Sequence, residues 1–243
     1  MSALAVLLFL SGLVEQGNTS VFSLDGHANI MAEEHFGIIN GKATVGVNYT
    51  DVVSVRGVWA PPYVSSDYAL DLRVSGEAIP ASSYSWLPFE VWRSGSAKGL
   101  SVSSASTLIY GHRGGLVTIG FRNESDKAQE VPISVSVSGT LDRTDTWEFA
   151  RAESKSPAAR TVDGGTLVME QGPCVLVTRT ELNGATWNAE TSAWNASVSL
   201  EPGKEATFHV AFALGGKQEA LDSCAAIMSN PQEARASARK EFG

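Results

Sequence analysis

The sequence predicts an all-β protein, a large antiparallel sandwich of two β-sheets that is followed by a C-terminal helical linker. In residues 131–138, apolar residues alternate with serines and one proline, and this period of two residues is typical of a strand with one buried face. No helical period separates the strand-like segments before residue 216, so the strands are expected to pair antiparallel. After Gly215-Gly216 the apolar spacing changes to three and four residues, which predicts a helix.

At least ten segments have strand character, and they are separated by glycine, proline and asparagine turns. They are residues 52–59, 68–74, 84–92, 100–102, 108–110, 117–121, 131–137, 166–169, 174–180, 194–200 and 206–214. So many strands would overextend one open sheet, and two packed sheets are therefore expected. Pro132 on the polar face predicts an edge strand, and Asn183-Gly184 predicts a type I′ hairpin turn.

Residues 216–243 are predicted to form two helices. The apolar residues Ala220, Leu221, Cys224 and Ile227 lie on one stripe of the first helix, and Asn230-Pro231 is expected to end it. The stripe must be buried, either by docking back on the sandwich or by a helical domain outside this chain. The predicted organisation is thus a sandwich over residues 21–215 and a linker over residues 216–243 toward such a domain.

Composition excludes one class of partner. Eighteen Lys and Arg against 26 Asp and Glu give a net charge of −8, and no basic run occurs. Such a chain repels a phosphate backbone, so no nucleic-acid partner is expected. The apolar fraction of 43% is sufficient for a globular core.

The amino terminus carries an apolar run over residues 3–14, which is too short to span a bilayer. Residues 1–20 are therefore interpreted either as a secretory signal peptide or as a buried first strand. The first interpretation predicts a secreted or periplasmic protein without a stable membrane span.

The two cysteines, Cys174 and Cys224, are interpreted either as buried thiols or as a disulfide between distant elements. The four histidines lack the spacing of a metal site, so no metal and no cofactor are predicted. Nucleophile elbows, zinc-protease motifs and phosphate-binding loops are absent from the sequence. No catalytic residue is assigned. His112-Arg113, in a strand–turn context, has either a structural role or a role in binding a polar ligand.

Aromatic residues supply the candidate binding site. Trp59, Tyr63 and Trp86 lie at strand ends or beside prolines, where a ring can be half exposed and stack on a sugar. The alternative is that these rings close the ends of the sandwich or an interdomain seam.

Several runs of the chain resemble the amino-terminal domain of bacterial glycosidases that have an (α/α)6 barrel. The runs are residues 35–37, 48–52, 59–63, 84–93 and 146–149, and residues 200–221 resemble the passage to the linker helices of these enzymes. The resemblance implies a β-supersandwich of the galactose-mutarotase type, a downstream (α/α)6 catalytic domain as partner, and a carbohydrate substrate. The barrel that holds the catalytic carboxylates is absent here. Trp59, Tyr63 and Trp86 are then expected to border the sugar site.

Three functions follow as hypotheses. The first is the non-catalytic sandwich domain of a glycoside hydrolase that acts on oligo- or polysaccharide. The second is a free-standing, lectin-like carbohydrate-binding protein, and the third is a structural cell-surface sandwich.

Overall fold

A computed structural model describes residues 24–26, 36–47, 50–143 and 158–242, with the side chains of 24–26, 36 and 66–69 not included. Residues 1–20, for which a signal peptide or a first strand is predicted, lie outside the described residues. Trp147 and the other residues of the 146–149 run also lie outside them.

The described residues form strands up to residue 215 and helices after it. In chain order the strands are β1 (Leu24–Gly26), β2 (Phe36–Ile39), β3 (Thr44–Val47), β4 (Ser54–Ala60), β5 (Tyr63–Val74), β6 (Glu77–Ala78), β7 (Ala81–Leu87), β8 (Glu90–Ala97), β9 (Leu100–Leu108), β10 (Gly114–Asn123), β11 (Gln129–Arg143), β12 (Ala159–Asp163), β13 (Thr166–Gln171), β14 (Cys174–Thr180), β15 (Thr186–Asn188), β16 (Ala193–Leu200) and β17 (Glu205–Gly215). The helices are α1 (Lys217–Ser229) and α2 (Pro231–Phe242).

Two sheets contain these strands. One sheet has nine strands in the order β1-β7-β8-β9-β10-β17-β14-β13-β12, and the other has the order β15-β16-β11-β5-β4-β3-β2, with β6 paired to β5. The strand pairs in both sheets are antiparallel. The predicted two-sheet antiparallel sandwich is therefore confirmed.

The main core lies between the two sheets, and β11 shows how the sequence builds it. Val131, Ile133, Val135 and Val137 are buried, whereas the residues between them are partly or fully exposed. Each valine buried in this way contributes roughly 2 kcal/mol to folding. The alternation thus places one face of β11 in the core and leaves the other face polar.

A second core lies between the outer face of the nine-stranded sheet and the helices. Ala220, Cys224 and Ile227 of α1 are buried against side chains that include Val177 and Ala211. The apolar stripe of α1 therefore docks on the sandwich, which was one of the two predicted alternatives. Among the described residues, neither helix is both long and apolar enough to cross a membrane.

Asn230 separates the two helices, as the Asn230-Pro231 pair predicts. Its side-chain oxygen accepts a hydrogen bond from the Glu233 amide at 3.2 Å, and its amide group donates to the Glu233 carboxylate at 2.8 Å. This reciprocal pair caps the first turn of α2, and Pro231 occupies a position where no backbone donor is needed.

A buried ion pair fixes α2 to β8. The Glu90 side chain is fully buried, and one of its oxygens accepts hydrogen bonds from Arg235, at 2.5 Å, and from Thr107. The other oxygen accepts from Arg239 at 3.0 Å. Both guanidinium groups lie over the Trp92 ring, at 5.9 and 4.9 Å from its centroid. One carboxylate thus holds two cations of the same helix.

The edge position predicted from Pro132 is wrong, because β11 lies between β16 and β5. The pairing of β11 with β5 starts only at Ile133, opposite Val74. The Pro132 carbonyl accepts a hydrogen bond from the Ser75 amide at 2.9 Å, on the side where β5 has ended. Since the N–H and C=O of a strand residue point to the same side, the missing proline donor faces a turn and costs no ladder bond.

The hairpin predicted at Asn183-Gly184 is also wrong. β14, before this turn, pairs with β13 and β17 in one sheet, and β15, after it, pairs with β16 in the other. The Ala185 amide bonds to the Leu182 carbonyl at 3.2 Å, and Gly184 has a φ of +70°. A type I′ turn needs positive φ at both central residues, and Asn183 is not among the residues that have one. The turn carries the chain from one sheet to the other.

Candidate functional site

The turn between β2 and β3 is held against the loop between β9 and β10 by one buried side chain. The Asn40 amide group donates to the carbonyls of Ile109 and His112, at 2.7 and 2.8 Å. Its oxygen accepts from the amides of Lys42 and Ala43, at 3.0 and 2.9 Å. These four hydrogen bonds use both N–H donors and both acceptor lone pairs of the amide. Asn40 therefore fixes the relative position of the two loops.

These loops form one wall of a pocket of about 260 Å³, which we call the end pocket. The β2–β3 turn contributes Lys42, the β4–β5 hairpin contributes Trp59 and Pro61, the β9–β10 loop contributes Arg113, and the first turn of α1 contributes Glu219. The side chains of one pocket thus come from four segments that are distant in sequence.

Arg113 is the centre of the charged side of the end pocket. Its Nε lies 3.4 Å from a carboxylate oxygen of Glu219, and its guanidinium carbon lies 5.8 Å from the centre of the Tyr63 ring. The Arg113 guanidinium group therefore packs over the Tyr63 ring, and the Trp59 side chain lines the same pocket. The structure brings two of the three predicted aromatic residues to this end of the sandwich.

Positive charge accumulates on the β2–β3 side of the pocket. The Lys42 ammonium group donates to the Gly111 carbonyl at 2.7 Å, which holds its charge near the β9–β10 loop. The pKa of His112 is lowered from its ordinary value, first because the ring is partly buried and second because Lys42 lies close. His112 is thus neutral at pH 7, and Lys42 and Arg113 are the cations that face the pocket.

Trp86, the third predicted residue, lies away from the lining of the end pocket. Its indole N–H donates to the Gly37 carbonyl at 3.2 Å, so the side chain bridges β7 of one sheet and β2 of the other. Gly37 lies two residues before Ile39, which does line the pocket. The ring closes the edge between the sheets next to the pocket.

The end pocket has the groups of a binding site. It combines an indole face and a proline ring with two cations and one carboxylate, Glu219, which Arg113 neutralises. Hydrolysis of a glycoside by the common mechanism needs a pair of carboxyl groups, and the described lining provides one. Within the described parts of the chain, no three His, Cys, Asp or Glu side chains are placed to hold a metal ion.

No protein-family model and no curated protein sequence matches this chain. Solved structures with a similar fold include a protein assigned as a kojibiose phosphorylase from the human microbiome, with a TM-score of 0.59 and 11% identity over 93% of this chain and 38% of that one. They also include a bacterial glucoamylase in complex with acarbose, with a TM-score of 0.54 and 7% identity over 90% of this chain and 36% of that one.

The sandwich fold is shared with both proteins. The fold implied by the resemblance to (α/α)6-barrel glycosidases is therefore confirmed. This chain spans less than two-fifths of the length of either protein. At these identities the likeness is one of fold.

Two residues that shape the end pocket, Asn40 and Glu219, carry weak sequence signals. Asn40-Gly41 stands between two apolar runs, which is a turn signal, and Gly41 has a φ of +81°. Glu219 lies in the first turn of α1, where an acidic residue is common because it interacts favourably with the helix dipole, so its presence there does not indicate a pocket. Arg113 was predicted to be either structural or ligand-binding, and its side chain reaches the pocket.

Proposed function

We propose that the chain is the non-catalytic sandwich domain of a glycoside hydrolase that acts on oligo- or polysaccharide. In this proposal the end pocket forms part of the sugar site of an (α/α)6 domain that lies outside this chain. The observation that carries the proposal is the end pocket itself, in which Trp59 lies beside the Arg113–Glu219 pair. The fold shared with part of a glucoamylase supports it.

The pocket suits a sugar for chemical reasons. A pyranose ring has one apolar C–H face and a rim of hydroxyl groups. The Trp59 ring offers a flat apolar surface for the face, whereas Arg113, Lys42 and Glu219 offer donors and acceptors for the rim. The two cations fix the side of the pocket on which the sugar oxygens accept hydrogen bonds.

The chain alone is expected to bind a sugar weakly and to cleave none. An isolated wall of a composite site makes only part of the contacts, so dissociation constants of about 1 mM are expected. Cleavage by the common mechanism requires a second carboxyl group, which the described lining lacks. Release of reducing sugar by a pure preparation would contradict the non-catalytic assignment.

The test is a titration of the ¹⁵N-labelled chain with maltohexaose, followed by NMR. Saturable shifts of amides around residues 42, 59 and 113 are expected, and Trp59→Ala should weaken binding by about tenfold, the effect of about 1.4 kcal/mol. Tyr110→Ala removes an exposed aromatic ring outside the pocket lining and should leave the affinity unchanged. Shifts that vanish in Trp86→Ala but persist in Trp59→Ala would move the site to the edge between β7 and β2.

A second function is favoured by the docking of both helices on the sandwich, which gives the chain its own closed core. A free-standing carbohydrate-binding protein needs such a self-sufficient fold. The same titration separates the two functions, because a free-standing module is expected to bind with a dissociation constant of about 10 µM or lower. The predicted secretion of the protein suits either function.

A further inference from the structure

The outer face of the eight-stranded sheet carries a second cavity, of about 500 Å³, which we call the outer groove. Its polar lining comes mainly from three adjacent strands, β5, β11 and β16, and from the end of β15 with the turn that follows it. The side chains with hydrogen-bonding groups include Arg73, Ser134, Ser136, Asn188, Thr191 and Asn195. A cavity of this volume is in the range that proteins use for small organic ligands.

The sheet register places three of these side chains in one row. Ser134 of β11 is paired with Arg73 of β5 on one side and with Asn195 of β16 on the other. Paired residues share a face, and neighbouring strands lie about 5 Å apart, so the row extends about 10 Å across the sheet. A guanidinium, a hydroxyl and an amide therefore follow one another on a rigid backbone.

The groups in the groove are available to a ligand. The side chains of Ser134, Thr191 and Asn195 make no hydrogen bond to any of the described residues. The oxygen of Asn188 accepts from the amides of Glu190 and Thr191, at 2.9 and 3.1 Å, which shapes the β15–β16 turn and leaves its NH₂ group for another acceptor. Arg73 donates one bond to the Gly76 carbonyl, at 3.2 Å, and keeps its remaining donors.

The charge of the lining selects the ligand. Arg73 is the single charged side chain of the groove lining in the described chain, and no carboxylate lies in it. Amides and hydroxyls both donate and accept, which matches the hydroxyl groups of a neutral sugar. Pro132 adds an apolar ring at one end of the cavity. A polyanion is disfavoured because the whole chain has a net charge of −8.

We propose that the outer groove is a second binding site, for a segment of neutral oligosaccharide, built by the Arg73–Ser134–Asn195 row. The choice of ligand rests on the proposed function, whereas the site is separate from the end pocket. Tyr63 and Arg73 stand ten residues apart at opposite ends of β5, which is roughly 30 Å along a strand. The groove would hold a saccharide chain away from the end pocket and thereby favour long substrates.

The test uses the ¹⁵N-labelled full chain and three probes, maltohexaose, cellohexaose and xylohexaose, each added to about 10 mM because weak sugar sites have dissociation constants near 1 mM. At least one probe should shift the amides of residues 73, 134 and 188–195 in a saturable way. Ser134→Phe fills the groove from its half-buried outer face and should abolish these shifts. Asn195→Ala should weaken binding by about three- to tenfold, the effect of one lost neutral hydrogen bond.

Ser199→Phe is the matched control for Ser134→Phe, because Ser199 is an exposed serine of the neighbouring strand β16 and lies outside the groove lining. It should change the affinity by less than about twofold. Urea midpoints of all variants verify folding, and Asn195→Ala carries the test if Ser134→Phe fails to fold.

The two sites fail in distinguishable ways. Shifts confined to amides near Trp59, and lost in Trp59→Ala, overturn the outer groove and leave the proposed function standing. Shifts confined to the groove and lost in Ser134→Phe support the groove and remove the end pocket from the proposal. Groove shifts that survive both Ser134→Phe and Asn195→Ala, or no saturable shift with any probe, overturn the groove.

Discussion

Arg235 donates through its Nε to Glu90, 145 residues earlier in the chain, at a distance of 2.5 Å. Glu90 is fully buried on the outer face of the nine-stranded sheet, and the Arg235 side chain is only 8% exposed. The pair therefore joins the last helix to the sheet where water cannot replace either partner. α2 is thus a part of the sandwich domain in its packing, although its composition is that of a surface helix.

Glu90→Gln is expected to lower the free energy of unfolding by about 3 kcal/mol or more, because Arg235 would remain buried without a counter-charge. The measurement is urea unfolding at neutral pH. Glu205→Gln removes a half-exposed partner of Arg122, 3.6 Å away, and should cost less than about 0.5 kcal/mol. Equal losses of unfolding free energy in Glu90→Gln and Glu205→Gln would show that the buried pair stabilises the fold no more than the exposed pair does. Adding Arg235→Met to Glu90→Gln should recover part of the loss.

Asn40→Ala is expected to cost about 3 kcal/mol, because four hydrogen bonds of a buried amide are lost and their backbone partners stay near the core. Asn230→Ala is the comparison, since it removes an exposed helix cap and should cost about 1 kcal/mol. Thermal or urea unfolding measures both. A loss in Asn40→Ala no larger than that in Asn230→Ala would contradict the role of Asn40 as the clamp of the two loops.

The stability of the protein is expected to fall as the pH drops below about 6.5, in part because of His209. Burial lowers the pKa of this ring, Glu181 at 3.6 Å acts to raise it, and Arg235 lowers it further. The unfolded chain therefore binds a proton at a pH where the folded ring does not. Stability is complete above the unfolded pKa of about 6.5 and decreases below it.

Urea midpoints at roughly pH 7.5 and 5.5 bracket this range. The difference between them should be smaller in His209→Gln than in the wild type. His112→Gln is the second arm, because burial and Lys42 also lower the pKa of His112. A pH dependence that stays unchanged in His209→Gln would assign the effect to other groups.

Neither cysteine is expected to react with a thiol reagent in the folded protein. Cys174 and Cys224 are free and buried, and burial raises the pKa of each thiol to about 12. In denaturant without reductant, a colorimetric thiol assay should count two thiols per chain. A count of zero would indicate a disulfide, and reaction in the native state would contradict the burial of the thiols.

Regular alternation made the strands predictable, and β9 shows where it fails. The sequence predicts two short strands around residues 100–102 and 108–110, whereas one strand runs over Leu100–Leu108. Val102 and Leu108 face the core between the sheets, and Thr107, on the opposite face, bonds to Glu90 beneath α2. Serines in such a strand are buried on both faces, so polarity no longer marks the solvent side.

The candidate site was predictable only in part, because several of its contacts join segments that are distant in the sequence. Trp59, Tyr63 and Arg113 were selected by residue type and by their position at strand ends. The Asn40 clamp and the Arg113–Glu219 pair join segments that are 69 or more residues apart, and a local pattern carries no information on such pairing. The same holds for Glu90 and Arg235.

The position of β17, between β10 and β14 in the nine-stranded sheet, has a consequence for synthesis on the ribosome. The strand that joins the two halves of this sheet is the last to emerge, so the nascent chain carries β10 and β14 with open hydrogen-bonding edges until then. Open edges are templates for pairing with other chains. Premature termination before residue 205 is therefore expected to yield an aggregating product, whatever the stability of the finished protein.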